Sequence, residues 1–146
     1  MNKARVMNAA QWFLRLALAA GFLSAVADRC GMWGPSGAPN VAWGNWQSFV
    51  DYVATLNWFA QKPAIRALAW AATLGELLVA LGLLIGWQLR WVALAGGSLL
   101  LSFAVTMTMA LGIKAPLDFS VFGAAAGAFL LAATCNESVY GGLTDR

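Results

Sequence analysis

The sequence contains no histidine. That removes the side chain most often used as a proton shuttle near neutral pH and as a metal ligand. Only 10% of its 146 residues are charged, where a soluble domain carries about 25%. With 61% hydrophobic residues, such a chain cannot hide its apolar surface from water. The two cysteines, Cys30 and Cys135, form no C-x-x-C pair, so the usual thiol redox motif is missing. Without histidine or clustered cysteines, no ligand set for zinc, haem or an iron–sulfur cluster is expected. The net charge of +3 is scattered and includes no basic run, which leaves no footprint for nucleic acid. No P-loop, dinucleotide fingerprint or nucleophile elbow occurs. No catalytic residue, no metal and no enzymatic activity of the chain on its own are therefore expected.

What the sequence has is apolar length. Four spans can be read, at about 12–27, 67–89, 91–113 and 117–135, and a stretch of about 20 apolar residues suffices to cross a bilayer as a helix. The expected fold is all-α: a polytopic, four-helix transmembrane bundle forming one domain over 1–146. Lys3 and Arg5 before an apolar run, with Ala25-Val26-Ala27 behind it, resemble a signal peptide. Arg15 interrupts the would-be apolar region, so the segment is read as a retained first span.

Residues 28–63 form a connection too long for a simple turn. Its first part is rich in glycine and proline. Its second part, from Asn45, shows helical periodicity, with Trp46, Phe49, Val50, Val53 and Leu56 on one face. An interfacial amphipathic helix capped by Asn45 is expected there, lying over the mouth of the bundle. Spans two and three must be antiparallel neighbours, because only a tight turn around Arg90 joins them. Two cysteines at the ends of spans one and four then face opposite sides, which forbids an internal disulfide. Lys3, Arg5, Arg90 and Arg146 fall on one side, and Arg29, Lys62, Arg66 and Lys114 on the other. The positive-inside comparison is a tie. The two basic residues of the amino-terminal tail favour cytoplasmic termini in a bacterial inner membrane.

Glu76 sits alone near the middle of the second span. A carboxylate at that depth costs several kcal/mol and is expected to face the bundle interior and find a partner. It either relays a proton or anchors a polar ligand, or it pairs structurally with a buried arginine or hydroxyls. Arg15 in the first span either snorkels to the interface or reaches across to Glu76. Ser98, Ser102 and Thr106 form a hydroxyl stripe on span three, either facing Glu76 or bonded to their own helix. Asp28, Arg29, Lys114 and Asp118 gather at one end, as a ring for a polar headgroup or anion or as ordinary interfacial charge. Trp43 and Trp46, with Trp33 and Trp58, either line the entry of a flat ligand or anchor the loop. Gly82 with Gly86, and Gly123 with Gly127, are read as close-packing pairs.

The blocks Asp28-Arg29-Cys30-Gly31, Pro39-Asn40-Val41-Ala42-Trp43-Gly44 and Lys114-Ala115-Pro116-Leu117-Asp118, with Glu76, resemble the DoxX family of small bacterial membrane proteins. The resemblance covers about 15–133. It implies four membrane helices and kinship with the DoxD subunit of thiosulfate:quinone oxidoreductase. The expected function is that of an accessory component of a membrane redox, quinone-linked system, not catalytic alone. Its partners would be membrane lipid and a larger membrane complex, and it would hold no cofactor beyond a bound quinone or lipid. Two other readings stay open: a quinone- or lipid-binding protein acting alone, and a small proton-coupled transporter using Glu76.

Overall fold

A computed structural model describes residues 2–135. Those residues fold into helices alone: α1 (Lys3–Arg29), α2 (Trp46–Leu56), α3 (Lys62–Ile85), α4 (Leu89–Leu111), α5 (Lys114–Asp118) and α6 (Val121–Thr134). The chain is a multi-pass membrane protein, since α1, α3 and α4 are each long and apolar enough to cross a bilayer. The fourth span differs from the expected continuous run over 117–135. Ser120, with φ +54° in the left-handed region, separates the short α5 from α6. Arg146, counted above for orientation, lies outside the described residues.

The four long elements pack as a ring, α1 against α3, α3 against α4, α4 against α6 and α6 against α1. Leu18, Phe22, Val79, Leu83 and Leu131 fill the centre together with alanines from all four helices. Small residues let the backbones approach, as packing in lipid requires. A Cβ on Gly97 would lie 2.7 Å from the Phe129 ring, and one on Gly82 would lie 2.8 Å from Val92. Gly127 faces Leu14 across α1 and α6, but Gly123 has nothing within 4 Å. The Gly123–Gly127 pairing is thus half realised.

These contacts set up a paired expectation. Gly97→Ala overfills a tight helix crossing and should destabilise the bundle by about 1–3 kcal/mol. Gly123→Ala meets open space and gains helix propensity, so it should be neutral or slightly stabilising. Thermal unfolding in detergent compares the two, and equal effects would contradict this packing.

The antiparallel register of α1 and α3 governs the rest. Arg15 lies beside Leu83 and Leu84, and Arg29 beside Thr73 and Glu76. Helix α1 therefore ends opposite the middle of α3. The first 11 residues of α3, roughly 16 Å of helix, extend past it. Helix α2 fills that gap. Its apolar face of Phe49, Val50 and Val53 packs on Ile65 and Ala69, flanked by Trp43 and Trp46, while Gln47, Asp51 and Thr55 stay exposed. The expected cap is present, with Asn45 Oδ1 accepting the Ser48 N–H at 2.9 Å. The amphipathic helix thus covers the end of the bundle by stacking on α3, against which it completes a second small core.

Candidate functional site: a buried arginine–glutamate pair under a clasped loop

Glu76 is only 2% exposed and faces inward, as its depth requires. Its partner is Arg29, the last residue of α1. Arg29 Nη1 lies 2.6 Å from Glu76 Oε2, and Nη2 donates to Oε1 at 2.9 Å. Nη1 also donates to Thr73 Oγ1 at 2.7 Å, one turn away on α3, and Thr73 in turn donates to the Ala69 carbonyl. The guanidinium lies 3.7 Å from the centroid of Phe49 and 5.1 Å from that of Trp43. Aromatic faces attract a cation most strongly where water is excluded. The Arg29 Nε proton has no acceptor among the described residues.

Asp28, the neighbour of Arg29, turns the other way. Its carboxylate accepts the N–H of Ala42 at 2.8 Å, of Gly44 at 2.9 Å and of Trp43 at 3.4 Å. Those amides belong to the far end of the glycine-rich loop, so one side chain folds 31–44 back onto the end of α1. Gly44 makes this closure sterically possible. It has φ +69°, and a Cβ there would meet Ser36 N at 2.3 Å. Adjacent residues thus carry two clasps, Asp28 to the loop and Arg29 to α3. Phe49 and Trp43 tie both to α2.

The alternative partners for Glu76 do other work. Arg15 donates Nε to the Leu83 carbonyl at 2.9 Å and Nη2 to the Leu84 carbonyl at 3.3 Å, and stacks 3.9 Å over Trp12. Leu83 and Leu84 belong to the last turn of α3, where carbonyls lack intrahelical partners and a cation is favoured. Gly86 accommodates it, since a Cβ there would lie 2.7 Å from Arg15 Nη2. Arg15 therefore neither snorkels freely nor reaches Glu76, which lies two turns deeper. The hydroxyl stripe also stays apart. Ser102 and Thr106 bond carbonyls of their own helix, and Ser98 and Ser102 face outward.

The expected charged ring divides in two. Asp28 and Arg29 are buried, whereas Lys114 and Asp118 pair with each other on the exposed surface. Trp46 packs 4.5 Å from Trp70, and Trp43 packs 5.0 Å from Phe49. Trp33 is exposed and donates Nε1–H to the Ser24 carbonyl at 3.1 Å. Two surface grooves stand out, one along the start of α1 and one between α2 and α3, and neither includes Arg29, Glu76, Trp43 or Trp46. Among the described residues no cluster of His, Cys, Asp and Glu side chains has the composition of a metal site. The roles of Thr73 and Phe49 were not read from the sequence. Thr73 stands one turn before Glu76 and on its face, which is the signal that could have found it.

The resemblance to DoxX proteins is corrected here. The family found is a different membrane family, and DoxX is not matched. The blocks that carried the resemblance explain the error. Asp28 and the Trp43-Gly44 segment close a loop, and Lys114 and Asp118 pair across one helical turn. These are local architectural tasks, a loop closure and a pair within one helical turn, and they do not by themselves identify a family. The kinship with thiosulfate:quinone oxidoreductase falls with that resemblance. No curated protein and no solved structure matches the chain. The family model described as methylamine utilisation protein MauE matches residues 7–135, nearly the whole sequence, and the chain belongs to that family.

Proposed function

We propose that this protein is a non-catalytic accessory component of a membrane-bound, redox-linked system for methylamine utilisation. The family match over 7–135 carries the reading. Cleaving methylamine with water to formaldehyde and ammonia releases two protons and two electrons, so the reaction needs an electron acceptor. The residues of this chain suit a supporting role. Its buried polar side chains are engaged in structural contacts, Arg29 with Glu76 and Thr73, Asp28 with loop amides, and Arg15 with the end of α3. The product is a rigid cap that presents Met32 and Trp33, 77% and 61% exposed, to a partner in a larger membrane complex. In a bacterial inner membrane with the start of α1 on the cytoplasmic side, that cap faces outward.

A second reading has one observation in its favour. Arg29 Nε is buried without an acceptor among the described residues, which suits a hydrogen bond to a polar atom of a bound quinone or lipid. Two experiments separate the readings. Deleting the protein should abolish growth on methylamine and leave growth on ammonium intact. A photo-crosslinker at Met32 should capture one partner protein, while one at Leu78, on the apolar flank of α3, should capture lipid only. If Met32 captures no protein and quinone copurifies in amounts that fall in Glu76→Gln, the ligand-binding reading replaces the accessory one. If Glu76→Gln instead abolishes proton-coupled uptake in vesicles, the protein is a transporter.

A further inference from the structure

A groove of about 720 Å³ runs between α2 and the first turns of α3. Its size falls in the range of ligand sites, about 300–1,000 Å³. Val50 and Ile65 form its floor, and Gln47, Asp51, Lys62 and Arg66 form its walls. The charges do not cancel. Among the described residues the ion pairs are Arg29–Glu76 and Lys114–Asp118. Lys62 and Arg66 enter neither, although Asp51 lines the same groove. The Asp51 carboxylate instead accepts a hydrogen bond from Gln47 Nε2 at 2.9 Å. Two exposed cations one turn apart thus share the groove with a single carboxylate, and an excess of one positive charge remains.

The next turns of α3, beyond Lys62 and Arg66, indicate the source of the missing negative charge. Trp70, Leu74 and Leu78 continue the same four-residue steps, which trace a ridge along a helix surface. All three are exposed, at 55%, 51% and 69%. The ridge therefore passes from cations through an indole to aliphatic side chains. Trp58 and Phe59, also exposed, stand at the corner between α2 and α3. Aromatic side chains in such a position mark the headgroup level of a bilayer.

We infer that the groove between α2 and α3 binds an anionic phospholipid, with its phosphodiester between Lys62 and Arg66 and its acyl chains along Trp70, Leu74 and Leu78. The Gln47–Asp51 pair faces the remainder of the headgroup, where it can bond hydroxyls such as those of a glycerol. A free phosphate would satisfy the cations and leave the ridge without a role. This inference is independent of the accessory function proposed above.

The test uses the full chain in detergent, titrated with phosphatidylglycerol, phosphatidylcholine or inorganic phosphate. Binding is followed by native mass spectrometry and by the rise in melting temperature. Phosphatidylglycerol should bind the wild type at least tenfold more tightly than phosphatidylcholine, and millimolar phosphate should not displace it. Lys62→Gln/Arg66→Gln should lose that preference. Both side chains are exposed, so the lipid-free melting temperature should be unchanged. Lys62→Gln alone should lose part of the preference, and Lys114→Gln, a cation removed from elsewhere, none. Equal binding of the two lipids, an undiminished preference in the double variant, or stabilisation by phosphate alone would overturn the inference, the last in favour of a soluble anion.

Discussion

Replacing Arg29 with leucine is expected to cost about 3–5 kcal/mol, among the largest single effects in this chain, because it strands Glu76 as an unpaired charge in a water-poor bundle. Glu76→Leu should cost a comparable amount by stranding Arg29. Glu76→Gln should cost less, since a neutral amide still offers an acceptor to the guanidinium. A purely interfacial Arg29, free to turn into water, would give well under 1 kcal/mol. Unfolding in mixed micelles, followed by tryptophan fluorescence, reads the difference.

The second large effect is expected at Asp28. Removing its carboxylate leaves the amides of Ala42 and Gly44 without their acceptor. A hydrogen bond to a charged group contributes about 1.5–3 kcal/mol, so Asp28→Ala should destabilise the closed loop by about 3 kcal/mol or more. The damage should be regional. Amide hydrogen exchange at 41–44 and in α2 should accelerate, while α6, which packs on α4 and α1 rather than on α2, keeps its protection. Asp28→Asn retains one carbonyl oxygen and should fall between wild type and Asp28→Ala. Uniform acceleration across all helices would show that the loop and the bundle open as one unit.

Much of this architecture is legible in the residues, for identifiable reasons. Apolar length placed α1, α3 and α4, because lipid demands helices of that length with every backbone group satisfied. Asn45 before an amphipathic pattern placed the start of α2, since capping is a local interaction. Glu76 pointed inward by the cost of any other arrangement. The identity of its partner was not legible. It depends on how far α1 runs along α3, a register defined by contacts between residues 44–69 positions apart in the chain. No local pattern encodes such a non-local fit. The break at Ser120 was hidden for a different reason. Neither glycine nor proline marks it, so the apolar run reads as continuous. Arg15 misled because a cation and a carboxylate in neighbouring spans suggest a pair, whereas the unpaired carbonyls ending α3 lie closer.

Family was the least legible property. The blocks at 28–31, 39–44 and 114–118 are short, whereas the family match rests on residues 7–135.

The central structural claim is that Arg29 and Glu76 act as one buried unit joining α1 to α3, and a double-mutant cycle tests it most directly. Arg29→Leu, Glu76→Leu and the double variant are unfolded under identical micelle conditions. If the pair is real, the double variant carries no stranded charge and should recover most of the lost stability, giving a coupling of about 3 kcal/mol or more. Costs that simply add, with coupling below about 0.5 kcal/mol, would contradict it.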